Sequence, residues 1–221
     1  MQIHKTIFIR HANRRHISVP SDFSEGGLTI EGKINAFKAG RFLKGRFSED
    51  IQEIHTSRRK RCRETAMLIS LGYSPIKRVP LISELKEPDT LCAGFVKNVD
   101  EWNHLCMNSD FFSMFFMQTE TLFKRYSKFN LFKYNSPSDY ADEVLQKYLV
   151  EKSIIAVTHD FTIAPLWVAL SNKLGFCLEG IGGRPGYLTG IVIYHAQGKI
   201  LKIESINAIA KNVSTVFSAQ N

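Results

Sequence analysis

The chain has 221 residues, 44% of them apolar and 16 of them Phe, which supplies a packed core and excludes a disordered chain. That length fits one domain with room for an inserted subdomain. Lys and Arg number 29 against 21 Asp and Glu, a net charge of +8 that points to anionic partners such as phosphoesters, nucleic acid or an acidic membrane. Cys62, Cys92, Cys106 and Cys177 are scattered without a C-x-x-C pair, which argues against zinc. There is no apolar leader core and no run near the roughly 18 apolar residues of a membrane span. The expectation is a cytoplasmic protein with reduced thiols and no membrane span.

Lys5–Arg10 is a short apolar strand. Residues 18–29 form a polar, glycine-containing loop, and Thr29 caps a helix carrying Ile30, Ile34 and Phe37 at helical spacing. Glu53–Thr56 reads as a weaker strand. Ser57 then caps a helix with Cys62, Thr65, Ala66 and Ile69 on its apolar face, ended by Gly72 and Pro75, and Ile76–Pro80 reads as another short strand. The stretch 90–150 differs in texture. It holds Phe111, Phe112, Phe115, Phe116, Phe123, Phe129 and Phe132, then Ala141, Val144, Leu145 and Tyr148 at helical spacing. It reads as an all-helical insertion whose aromatics form core. Ser153–Thr158 is a buried strand, followed by an amphipathic helix with Ile163, Leu166, Trp167, Leu170 and Leu174. After the glycine loop Gly180–Gly186, Leu188–His195 and Ile200–Ile206 form two strands, with Gln197-Gly198 as the hairpin turn. Strands alternating with helices predict a single α/β domain over 1–221, with a three-layer α/β/α sandwich and a mostly parallel central sheet.

Three strand-to-helix junctions carry the polar chemistry: Arg10-His11 with Arg14, Ser57 to Arg61, and His159-Asp160. Open α/β sheets bind ligands at the carboxyl ends of their strands, so residues over a hundred positions apart can meet in one pocket. Helix N-termini at the last two junctions add positive potential for an anion. Arg10, Arg14 and Arg61 each offer a planar guanidinium fork for phosphoryl oxygens, and His159 a further donor. His11 is then the candidate nucleophile, forming a phosphohistidine. Asp160 is the first candidate for the general acid and Glu84 the second. The cationic cluster makes a metal or other cofactor unnecessary.

These residues resemble the histidine phosphatase superfamily, which includes the cofactor-dependent phosphoglycerate mutases and the histidine acid phosphatases. Arg10-His11 resembles the family's Arg-His-Gly signature at the end of the first strand. Leu28-Thr29, Glu31-Gly32, Ala36 and Gly40 resemble its first helix, and Ser57, Arg61 and Thr65-Ala66 its Ser-x-x-x-Arg-x-x-x-Thr-Ala run. His159 matches the second pocket histidine. Arg14, and His159-Asp160 with Ile163-Ala164-Pro165-Leu166, resemble the acid phosphatase branch, where the Asp donates the proton. Leu81-Ile82-Ser83-Glu84-Leu85 resembles the mutase-like branch, where a Glu does so. The resemblance implies a phosphoglycerate mutase-like fold and a metal-independent phosphatase acting on a small phosphorylated substrate. Ala12 stands where the signature has glycine, and His16 where the acid phosphatase branch has proline.

The run Arg58-Arg59-Lys60-Arg61-Cys62-Arg63 is first of all a solvated helix face. One arginine can enter the pocket while others line its rim, which would favour a polyanionic substrate. Rival readings are a phosphomutase, a catalytically inactive phosphate-binding scaffold hinted at by Ala12, and a nucleic-acid-binding domain. The last is disfavoured, because the basic residues lack interleaved exposed aromatics or a reader motif.

Overall fold

A computed structural model describes residues 2–19, 26–47, 51–76, 79–83, 89–175 and 184–219. Their strands are β1 His4–Arg10, β2 Ile51–Thr56, β3 Leu81–Ser83, β4 Ser153–Thr158, β5 Thr189–Ala196, β6 Lys199–Asn207 and β7 Asn212–Ser218. The helices are α1 Ile30–Phe47, α2 Lys60–Tyr73, α3 Val99–Cys106, α4 Ser109–Met117, α5 Thr119–Lys128, α6 Pro137–Tyr148 and α7 Asp160–Leu174.

The strands form one sheet in the order β3-β2-β4-β1-β5-β6-β7. The β3-β2-β4-β1 half is parallel, and β5, β6 and β7 continue it antiparallel. Alternation decides which side chains meet which layer. Ile7, Ile9, Ile155, Val157 and Val192 face α1 and α2. Phe8, Ile154, Ala156, Ile191 and Ile193 face α6, α7 and the aromatic helices α3 to α5. With both faces covered, β1 and β4 are buried almost throughout, which is why they read as unbroken apolar runs. The result is an α/β/α sandwich with a parallel centre.

Several local expectations need correction. Thr29 does cap α1, its Oγ1 accepting from Gly32 N at 3.0 Å. Yet Ile30, Ile34 and Phe37 are exposed, and the buried face of α1 is Gly32, Ala36, Ala39, Gly40, Leu43 and Phe47. Small residues win there because α1 and α2 touch backbone to backbone. A Cβ on Gly40 would lie 2.3 Å from Ile69 O, and one on Gly72 2.1 Å from Phe37 O. Gly72 therefore sits inside α2, which ends at Tyr73. Ser57 does not cap that helix, because Arg59 occupies the N-cap and the Ser57 hydroxyl is drawn to Asp89.

The strand expected at Ile76–Pro80 is found at Leu81–Ser83, with residues 77 and 78 outside the described set. Phe129, expected in the core, is exposed. Helix α7 is not amphipathic in its first turns: Asp160 to Trp167 are all buried, since the helix lies between the sheet and the aromatic layer. The Gln197-Gly198 hairpin is present, both residues at positive φ (50° and 72°), as a type I′ turn requires. Strand β7 was not anticipated.

Candidate active site

The carboxyl ends of β1 and β4 lie side by side, with Arg10 paired to Thr158. His11 follows β1, and its backbone N–H continues the ladder to Thr158 O at 2.9 Å. His159 and Asp160 follow β4 at the start of α7. Arg61 projects from the first turn of α2. All four side chains are buried.

His11 Nδ1 donates to Ala12 O at 2.8 Å, which leaves Nε2 with its lone pair. Arg61 Nε donates to that Nε2 at 3.2 Å, and Arg61 Nη2 donates to His159 Nδ1 at 3.2 Å. One guanidinium thus fixes the tautomer of both imidazoles. With Nδ1 accepting, His159 carries its proton on Nε2, which faces Ser57 Oγ and Cys62 Sγ, each at 3.3 Å. Ser57 Oγ donates in turn to Asp89 Oδ2 at 2.7 Å. Burial, with Arg61 and neighbouring cations adding to it, pushes both histidines well below the usual imidazole range, so both are neutral. Burial pushes the Cys62 thiol up, and it stays protonated.

Asp160 Oδ2 lies 2.9 Å from Arg10 Nη2 and 2.5 Å from Arg184 Nε. Burial pushes its carboxyl up, but Arg10, Arg184 and Arg61 outweigh burial and hold it below the ordinary range. Arg10 also donates to Pro185 O at 2.5 Å and stacks 4.2 Å over the Tyr187 ring. Its buried Nε has no hydrogen-bond partner, and its Nη2 meets Asp160 as an ion pair without hydrogen-bond alignment. A cleft opens over this cluster, lined by His11, Arg14, Arg59, Arg61, His159, Asp160 and Arg184, with an apolar wall beyond them.

The comparisons bear on the fold. No family model matches the chain, and no curated protein matches it in sequence. Among solved structures, a phosphoglycerate mutase from Bacillus anthracis aligns with a TM-score of 0.61 at 15% identity, over 95% of this chain and 96% of its own. A mutant phosphoserine phosphatase from Entamoeba histolytica, in complex with phosphoserine, aligns at 0.56 and 17% identity, over 94% and 98% of the two chains. A mycobacterial glucosyl-3-phosphoglycerate phosphatase aligns at 0.50 and 12%, over 89% and 92%. This chain shares its fold with these solved phosphoglycerate mutase and phosphoserine phosphatase structures.

On this fold, the expected residues His11, Arg14, Arg61, His159 and Asp160 come together at one cleft. Arg14 rather than Arg15 turns inward, since Arg15 is exposed. Arg10 stands behind the cleft, paired with Asp160, and is not among its described lining residues. Glu84 lies outside the described residues. Arg59 lines the cleft and donates to Cys92 Sγ at 3.4 Å, whereas Arg63 is exposed. Ala12 is buried in the core and is not among the described residues at positive φ, so the backbone at that turn does not demand glycine. Its N–H donates to Thr65 Oγ1 at 3.1 Å.

Sequence reasoning missed Asp89, Arg184 and Tyr187. Asp89 and Tyr187 sit in irregular segments with no periodic signal. The one available hint was an arginine, Arg184, in a Gly-Gly-Arg-Pro-Gly loop just before a strand. Among the described residues, no group of three or more His, Cys, Asp or Glu is disposed to hold a metal ion. Among the described residues, no helix is long and apolar enough to cross a membrane.

Proposed function

We propose that the protein is a phosphomonoester hydrolase working through a phosphohistidine on His11. The observation that carries this reading is the His11 imidazole: buried, neutral, with Nδ1–H tied to Ala12 O and Nε2 lying among guanidinium groups. A nitrogen nucleophile needs an unprotonated lone pair and a fixed aim; the Nδ1–H bond to Ala12 O supplies both, and Arg61 occupies that lone pair until substrate takes its place.

In the first step His11 Nε2 attacks phosphorus, the N–P bond forms and the P–O ester bond breaks. Arg61 exchanges its contact with Nε2 for a phosphoryl oxygen, and Arg14 beside it neutralises another. The guanidinium groups of Arg10, Arg14, Arg59, Arg61 and Arg184 already supply the positive charge that a metal ion would bring, and they repel a second cation. His159 positions Arg61 through Nδ1, while Ser57 and Asp89 hold the His159 ring.

The leaving alkoxide takes its proton from Asp160. Before substrate arrives, that carboxyl is held ionised by Arg10 and Arg184. A phosphoryl dianion beside it raises its proton affinity, so on substrate binding the carboxylate takes up a proton from solvent. Water then attacks phosphorus, its proton passes to the Asp160 carboxylate, and phosphate leaves with His11 neutral again. Glu84 is the second candidate donor. Asp160→Asn should slow esters with poor leaving groups far more than aryl esters, and Glu84→Gln should do so instead if Glu84 is the donor.

The reading is tested by hydrolysis of an aryl phosphate at about pH 4–8 with chelator present. Wild type should release phosphate, and His11→Ala should lose at least about 10⁴-fold in rate. Activity that survives His11→Ala, or that chelator abolishes, contradicts it.

A further inference from the structure

The cleft has two compartments of opposite chemistry. Its floor is the cluster of His11, Arg14, Arg61 and His159. Its far wall is built from Val96, Val99, Trp102, Phe112 and Phe161. These rings are locked against one another. Trp102 meets Phe161 edge-on with centroids 4.8 Å apart, and Phe112 meets Phe161 at 5.2 Å. Trp102 and Phe161 are buried within the aromatic core, while Phe112 is half-buried and lines the cleft.

Arg184 closes that edge. Its guanidinium lies 4.3 Å over the Phe112 ring while its Nε contacts Asp160 at 2.5 Å. The arginine is therefore committed to the acid and to the aromatic wall. Among the described lining residues, Asn103 is the one carboxamide facing this compartment. Arg59 and Asp89 also line the cleft, but Arg59 is engaged with Cys92 and Asp89 with Ser57, Arg58 N and Leu91 N. An alcohol rich in hydroxyl groups would therefore lose its water against the wall for few new partners. An apolar alcohol would lose nothing and gain the burial.

Resting on the phosphatase reading above, we infer that the substrate is a phosphomonoester with an apolar alcohol part. That part lies against Val99, Trp102 and Phe112 while the phosphoryl group reaches His11.

The test compares benzyl phosphate, ethyl phosphate and glycerol 3-phosphate, which all release a primary alkoxide and differ in what the wall must accommodate. Benzyl phosphate should exceed both others in kcat/KM by roughly tenfold to a hundredfold. Phe112→Ala, and separately Val99→Asn at a partly exposed site, should draw the benzyl-to-ethyl ratio toward one. Glycerol 3-phosphate used as well as benzyl phosphate overturns the inference, as does a ratio unchanged in both variants. Calorimetric binding of benzylphosphonate against methylphosphonate needs no turnover. Tighter binding of the benzyl compound, with no ester hydrolysed, would sink the phosphatase reading and support the apolar compartment. Equal binding of the two, or binding of neither, overturns the compartment.

Discussion

The two faces of the sheet are packed by opposite means. On one side α1 and α2 meet through Gly40, Gly72 and small alanines, with backbone atoms in direct contact. On the other, Phe95 sits among Trp102, Phe115, Phe123, Phe132 and Tyr140, with ring centroids 4.8 to 5.9 Å away. Contact between backbones leaves no room for sliding, whereas rings can repack around a lost neighbour. The candidate site draws Arg61 from the first side and Trp102, Phe112 and Asp160 from the second. The tight face sets the aim of Arg61 at His11, and the aromatic face shapes the space into which a leaving group would extend.

The largest expected effect on this contrast is at the centre of the aromatic face. Phe95→Ala should cost about 3–5 kcal/mol in denaturant unfolding, by lost burial and the cavity left behind. A cost under 1 kcal/mol would mean that the ring cluster is not the core of that face. Next comes Gly40→Ala. Its methyl group would meet Ile69 O at 2.3 Å, so α2 must move, at about 1–3 kcal/mol. Because Arg61 rides on α2, kcat should fall as well. Wild-type stability and rate together in this variant would break the comparison.

Acid should probe the seam between the faces. His11 and His159 are held neutral there, and His195 is pushed down to about 4 by burial and by His4. In the unfolded chain these groups take up protons below about pH 6.5, while the folded chain does not. Stability therefore falls as pH drops below that value, by up to about 1.4 kcal/mol per pH unit for each imidazole. Asp160, with a lowered folded value, adds a loss only once pH falls below the usual carboxylate range of about 3.9. A Tm unchanged from about pH 7 to 5 would contradict the neutral assignment. The smallest effect is expected on the outer face of α1, where Ile34→Ser should stay within about 0.5 kcal/mol of wild type.

That last substitution marks where sequence reading fails. Ile30, Ile34 and Phe37 have helical spacing and hydrophobic character, and they point to solvent. The true core face of α1 is carried by glycine and alanine, whose burial leaves little hydrophobic signal. Strands β1 and β4 were legible because burial on both faces leaves unbroken apolar runs. His11, Arg61, His159 and Asp160 were legible because each stands where a strand ends or a helix begins, so topology alone brings them together. Asp89 and Arg184 were not, since they reach the site from irregular chain that no periodicity describes. Strand β7 escaped because four of its seven residues are Asn, Ser or Thr, which leaves no apolar run, and its pairing with β6 is not a sequence signal.

The most direct test of the central claim is a trapping experiment. Wild-type protein mixed with an aryl phosphate and quenched in alkali should carry a phosphoryl group that is stable to base and labile to acid. Peptide mass spectrometry should place it on His11, and it should be absent from His11→Ala. Rapid substrate turnover with no such adduct, or an adduct on another residue, would contradict the account.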